Sequence, residues 1–200
     1  MIIRHFFNLF ITALFSIMQA GVILPSDSFE NWEIISDDEI WIGWKNIDEF
    51  DWCRTKSTLD APIADIRRII EDKANYPNVF KRVESAIIIT DEIVYIALDM
   101  PFPFSGRDYV VKYIQQHTDD DFIYRFHAVI HPEVPLYSKY VRLNHASGEW
   151  RLRPLDAMQT EITYTWNGEL LGDFPDWALT RAWKQQGLEV ITWLKEAIDK

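Results

Sequence analysis

The sequence predicts an α+β fold, a curved antiparallel sheet that grips a long C-terminal helix laid across one of its faces. Three observations predict it. Short segments of alternating apolar and polar residues recur along most of the chain, the links between several of them are of hairpin length, and the last stretch repeats apolar residues at steps of four and three.

The strands are expected at Trp32–Ser36, Glu39–Lys45, Asp51–Leu59, Val83–Thr90, Ile93–Asp99, Asp108–Gln116, Phe122–His131, Lys139–Ala146, Glu149–Arg153 and Thr160–Asn167. The acidic connections Asp91-Glu92 and Thr118-Asp119-Asp120-Asp121 are too short for a crossover, so neighbouring strands should run antiparallel. A helical insertion follows the third strand. Asp60 is its candidate cap, Pro62 sits in its first turn, Ile63, Ile66, Ile69 and Ile70 share a stripe, and Pro77 should end it. The final helix starts near Pro175, with Leu179, Trp183, Gly187, Val190, Leu194 and Ile198 on the face turned to the sheet. Gly187 within that stripe implies a close approach, to a ligand or to a packed neighbour.

Residues 1–20 read as an export signal. Met1 to His5 is a short basic start, and Phe6 to Met18 is apolar apart from Asn8, Thr12 and Ser16, too short to span a bilayer. Cleavage is expected after Ala20, with the mature domain at 21–200 and a periplasmic or secreted location. An uncleaved segment would instead anchor the chain to a membrane. The net charge is −11, with no basic run, which excludes nucleic acid as a partner and disfavours tight binding to anionic lipid while allowing transient contact with a neutral bilayer. A monomer is expected. The lone Cys53 rules out an internal disulfide and multi-cysteine metal sites, and reads as a buried structural thiol.

Local catalytic signatures are missing. His127 and His131 lie four residues apart on an expected strand, roughly 13 Å, too far to share one zinc ion. Asp119-Asp120-Asp121 lacks the glycine and glutamate of a calcium loop, and Ser105-Gly106 has no nucleophile elbow around it. No metal or cofactor is implied. Twelve Phe, nine Trp and eight Tyr are more than enough to line an apolar pocket as well as fill a core.

From Asp99 to Lys195 the chain carries ordered landmarks: Pro101-Phe102-Pro103-Phe104-Ser105-Gly106-Arg107-Asp108, then Val141-Arg142, then Trp150, Leu152 and Pro154, then Thr160-x-Ile162-x-Tyr164, and last Gly172-x-x-Pro175-x-Trp177. In this order they resemble the START lipid-transfer domains, within the wider helix-grip superfamily that includes birch-pollen-allergen-like proteins and polyketide cyclases. Arg54, Ala61-Pro62 and Asp72-x-x-x-Tyr76 extend the resemblance upstream. It implies a lipid or other apolar small molecule held between sheet and helix, without covalent chemistry. A cyclase, hydrolase or isomerase on the same frame is the rival reading.

The candidate ligand-binding residues are Tyr95, Tyr113 and His145 from the sheet side and Trp183, Gly187, Val190 and Leu194 from the helix. The resemblance also implies a gate in the loop Pro101–Gly106 and the start of the last helix, with Phe102 and Phe104 over the mouth, and a structural pair, Arg107 and Asp108, that holds the loop to the sheet. The sequence departs from sterol-binding members, which carry a buried acid and arginine at positions matching Val94 or Tyr95 and Tyr113.

Overall fold

In a computed structural model, which describes residues 23–118 and 120–200, ten strands form one sheet. The expected signal segment, residues 1–20, lies outside the described residues, as does Asp119. The strands are β1 (Glu33–Asp37), β2 (Trp41–Ile47), β3 (Phe50–Leu59), β4 (Val83–Ile88), β5 (Ile93–Leu98), β6 (Gly106–His117), β7 (Phe122–Ala128), β8 (Tyr140–Arg142), β9 (Ser147–Pro154) and β10 (Thr160–Asn167). Their order is β1-β2-β3-β10-β9-β7-β6-β5-β4, antiparallel throughout, with the short β8 added parallel to the start of β6. The α+β helix-grip architecture is therefore present. β10 joins the two halves, pairing with β3 on one side and β9 on the other.

Strand alternation gives the sheet two different faces. On β5, Ile96 and Leu98 look into the concave side while Tyr95 and Ala97 look out. On β10, Ile162 and Tyr164 look in, whereas Thr165 looks out toward Arg54. Two expected strands are shorter than the pattern suggests. β7 stops at Ala128, short of His131, and β8 covers only three of the eight residues from Lys139 to Ala146. β6 is the reason in the second case: β7 pairs with it only from Val111 onward, which leaves Gly106–Asp108 as the free edge that Tyr140–Arg142 occupies.

Helix α1 (Ile63–Glu71) buries Ile66 and Ile70, with Ile63 and Ile69 half-buried beside them. Asp60 does not cap it. Pro62 holds the cap position in an extended conformation, and the Asp60 carboxylate instead accepts a 2.7 Å hydrogen bond from the Gln159 side chain. Pro77 does not terminate the insertion either, because a new short helix α2 (Tyr76–Val79) starts there and proline is tolerated in a first turn, where no intrahelical N–H bond is lost. The last helix, α3 (Leu179–Ile198), follows one turn of 3₁₀ helix at Asp176–Ala178.

Helix α3 packs chiefly on β1–β3 and on α1. Near its start, Trp183 joins Cys53 and Trp166 in a small aromatic cluster, lies 4.8 Å from the Trp44 ring, and donates a 2.8 Å hydrogen bond to the Gly168 carbonyl. Near its end, Ile191 and Leu194 are fully buried in the main core. Because these contacts hold α3 over one half of the sheet, the other half is left facing the flank of the helix across a gap.

Candidate ligand cavity

That gap is a cavity of about 490 Å³, within the range of small-molecule sites. One wall is the concave face of the sheet: Ile96 and Leu98 of β5, Tyr109 and Tyr113 of β6, Phe126 of β7, Trp150 of β9 and Tyr164 of β10. The opposite wall is the flank of α3, with Ala182, Gln186, Val190 and Trp193. Tyr76 and Phe80 close it on the α2 side. Its aromatic wall is built of ring pairs, with Trp150 and Tyr164 stacked at 4.0 Å and Tyr113 tilted against Phe126 at 5.7 Å. Such rings fix one another's orientation while offering broad apolar surface.

Charge enters the cavity wall mainly as one neutralised pair. The Arg82 guanidinium, just before β4, donates to both carboxylate oxygens of Glu189 on α3, the longer contact being 2.8 Å, and Gln185 donates to the same carboxylate at 2.8 Å. Arg181, exposed at the mouth, is the remaining ionic lining residue. Burial pushes the hydroxyls of Tyr76, Tyr109, Tyr113 and Tyr164 above the ordinary phenol value, so all four stay protonated and uncharged.

The mouth lies between two loops. Pro101 and Phe104 come from the β5–β6 loop; Leu170, Phe174 and Trp177 come from the segment between β10 and α3. Phe104 and Phe174 pack across the gap at 4.6 Å. Phe102 and Trp177 project into solvent, 97% and 84% exposed. Arg107 ties the two loops together, since its fully buried guanidinium donates to the carbonyls of Ser105, Leu170 (2.8 Å) and Leu171 (2.8 Å). Leu171 and Gly172 both adopt positive φ to deliver those carbonyls, and a side chain at 172 would meet Val141 at 2.9 Å. Asp108 faces the other way and pairs with Arg142 at 2.8 and 2.9 Å, fixing β8 to β6. Arg107 and Asp108 thus each hold structure, with separate partners and not with each other.

Of the expected ligand-binding residues, the structure brings Tyr113 and Val190 to the cavity, and of the gate residues Phe104. Tyr95 is on the outer face: its register partner is Val110, whereas Ile96 pairs with Tyr109, so one residue of strand phase separates it from the cavity. It packs there against Tyr137 at 5.8 Å. His145 lies beyond β8, bonded to Glu169 at 2.9 Å and edge-on to Phe50. Trp183 and Leu194 belong to the packed helix-sheet contact, and Gly187 sits against Ile42, where an added Cβ would come within 3.0 Å. The helix stripe is the packed face, and the cavity looks at the adjacent one. Phe102 is at the mouth but not in the wall. Tyr109 and Tyr164 were accessible to sequence reasoning through parity with Tyr113 and Ile162; Tyr76, Arg82 and Glu189 carried no such signal.

The START domain family profile matches residues 28–199. The chain belongs to the START domain family. A STAR-related lipid transfer protein fragment from Xanthomonas axonopodis superposes with a TM-score of 0.74 at 23% identity, covering 86% of this chain and all of that one. Human STARD10 superposes at 0.77 with 15% identity, covering 90% of this chain and 82% of that one. An uncharacterised protein of Pseudomonas aeruginosa is 24% identical over 178 residues, 86% of this chain and 88% of that protein. START membership implies binding of a lipid or other apolar ligand; among the described residues no group of three or more metal-ligating side chains is assembled.

Proposed function

We propose that this START domain binds one apolar molecule in the aromatic cavity and transfers it between membranes outside the cytoplasm, as a monomer and without covalent chemistry. The observation that carries the reading is the cavity itself, walled by aromatic side chains and bounded at its mouth by two loops with exposed Phe102 and Trp177. Enclosing about 400 Å² of lipid surface is favourable by up to roughly 10 kcal/mol at 25 cal/mol per Å², which is why free lipid crosses water slowly and enclosed lipid does not have to. The extracytoplasmic part of the reading rests on the apolar run from Phe6 to Met18.

Transfer requires the mouth to open. Phe104 against Phe174 closes it in water, and Phe102 and Trp177 are placed to enter the acyl region of a neutral bilayer and favour separation of the two loops there. The test compares Val190→Phe with the double variant Phe102→Ser and Trp177→Ser, using a fluorescent lipid moved between vesicles alongside its affinity in solution. Filling the cavity at Val190 should weaken affinity about tenfold or more, with stability nearly unchanged. The mouth variant should slow transfer several-fold at nearly constant affinity, because it alters the barrier for exchange more than the bound state. Unchanged affinity in Val190→Phe would remove the cavity from the function, and consumption of the lipid would turn the reading toward the enzyme alternative.

A further inference from the structure

The sheet is open, so it has two edges, and they are finished differently. β1, at one end, is guarded: its register slips between Ile34 and Ser36, and Glu33 and Asp37 bound it with charge, Glu33 held by Lys45. β4, at the other end, has its irregularity at its start, between Val83 and Ser85, and then runs in unbroken register with β5 through Ile88. No charge or proline falls from Ser85 to Thr90, and Ile87 and Ile88 are 56% and 46% exposed. Strand alternation fixes which backbone groups this edge leaves open. The Ile89 N–H donates to the Ile93 carbonyl at 2.9 Å, so Ile89, Ile87 and Ser85 turn their backbone groups to β5, whereas Ala86 and Ile88 turn theirs away from the sheet. Among the described residues no other protein group is hydrogen-bonded to the N–H or the carbonyl of either residue.

What fits such an edge is an extended segment whose charges match its two ends, and the chain itself has that pattern. The stretch around β4 begins with Lys81-Arg82 and ends with Asp91-Glu92. Two copies laid antiparallel with Ile87 opposite Ile87 set Ala86 of each against Ile88 of the other, so the open N–H and carbonyl groups of both residues bond reciprocally. The same register brings Arg82 opposite Glu92 and leaves Glu84 opposite Thr90, with Lys81 beside the acidic tail of the second copy. Lys81 and Glu92 keep 62% and 63% of their side chains exposed despite ion pairs with Glu196 and Lys112, so their charges still act on an approaching chain. Other registers are worse. A shift one way sets Glu84 opposite Glu92, like charges directly across, and a shift the other way runs the pairing into the irregular start of β4. The two-fold axis stands perpendicular to the sheet, so both concave faces lie on one side. Each mouth is at the Val83 end of its own β4, where Leu98 leads into the Pro101–Gly106 loop, and the two mouths therefore point in opposite directions. Only one of them meets a given bilayer, and the transferring unit is still the single chain.

We infer that β4 is a self-pairing edge, through which two copies of this chain join reversibly into one continuous sheet. Pairing is independent of what the cavity binds. One pair of short strands buries less than a standard interface of about 1,600 Å², so the two copies associate only as concentration rises. Sedimentation equilibrium on the protein purified after export should give the mass of one chain in the low micromolar range, rising toward two chains in the high micromolar range and no further. Ile87→Lys places like charges across the two-fold axis at an exposed position and should hold the mass at one chain throughout, as should Ile87→Glu. An equal mixture of these two variants should regain the two-chain mass, because opposite charges then face each other. Ile34→Lys, on the guarded edge β1, should leave the association unchanged, and thermal melting of every variant reports its folding. A parent that stays at one chain at all concentrations overturns the inference. So does a mixture that remains unpaired, or an equal effect of Ile34→Lys. Growth beyond two chains also overturns it, and makes the edge a point of open-ended aggregation.

Discussion

The two faces of the sheet use polar groups in opposite ways. On the outer face nearly every charge is spent on the protein. The buried Arg54 guanidinium donates to the Thr165 hydroxyl at 2.8 Å and to the carbonyls of Asp27, Ser26 and Pro25, with the Trp32 ring 4.7 Å above it. Beside it, Asp121 accepts from Arg151 and Arg153 at 2.6 and 2.8 Å, and Glu149 from Arg125 and Arg151 at 2.7 and 3.0 Å. On the concave side the sheet residues that line the cavity with polar groups are tyrosines, and the hydroxyls of Tyr109, Tyr113 and Tyr164 make no hydrogen bond to protein among the described residues. A buried donor left open costs free energy unless something else meets it. The outer face is thus organised for stability, while the concave face presents phenols to the cavity.

Three substitutions sharpen this contrast, taken from the largest expected effect to the smallest. Arg54→Met removes the guanidinium that donates to the carbonyls of Pro25, Ser26 and Asp27, of which Ser26 keeps the Phe29 N–H, and should lower unfolding free energy by about 3 kcal/mol in urea titration. Lipid affinity of the folded fraction should not move. A loss of affinity would show that the two faces are coupled.

Gly187→Leu drives a branched side chain into Ile42, which is fully buried, and should cost about 1–3 kcal/mol by overpacking. Because position 187 faces packed core, added lipid should raise the melting temperature of variant and parent by the same increment. A smaller increment in the variant would place Gly187 at the ligand.

The third is a pH dependence. Hydrogen bonds from Arg153 and Arg151 hold the Asp121 carboxyl below its ordinary value of 3.8. A group depressed on folding stabilises the native state at pH above its unfolded value and loses that contribution as pH falls through the folded one. The urea midpoint should therefore decline below about pH 4. Asp121→Asn, lacking this titration, should start lower at pH 7 and converge with the parent in acid. Parallel curves would show that the Asp121 cluster contributes nothing through its charge.

Much of the frame was legible in the residues themselves. The strand alternation from Phe50 to Leu59 and from Thr160 to Asn167 survives into the structure almost residue for residue, because a strand with one buried face admits one phase. The stripe on α3 was legible for the same reason, but its meaning was not. Trp183, Gly187 and Leu194 recur at helical spacing because they pack against the sheet and core, and a packed face and a ligand face have the same apolar composition. Tyr95 shows a second limit. Its position beside Val94 made either residue a candidate, and the choice depends on the β5–β6 register.

By itself, the sequence determined the element types, their antiparallel neighbours, the amphipathic last helix and the family landmarks, all of which follow from local periodicity and short connections. Tertiary structure decided where α3 sits on the sheet, and with it the cavity. Its anchorage over β1–β3 leaves Ala182, Gln186, Val190 and Trp193 facing β5, β6, β9 and β10 across open space. It also decided which tyrosines share the cavity wall, since Tyr76 and Tyr164 are 88 positions apart in the chain and line one cavity because β10 sits in the middle of the sheet while α2 folds back over it. Periodicity records which side of an element is apolar; the distance to whatever lies opposite is fixed only when the elements pack.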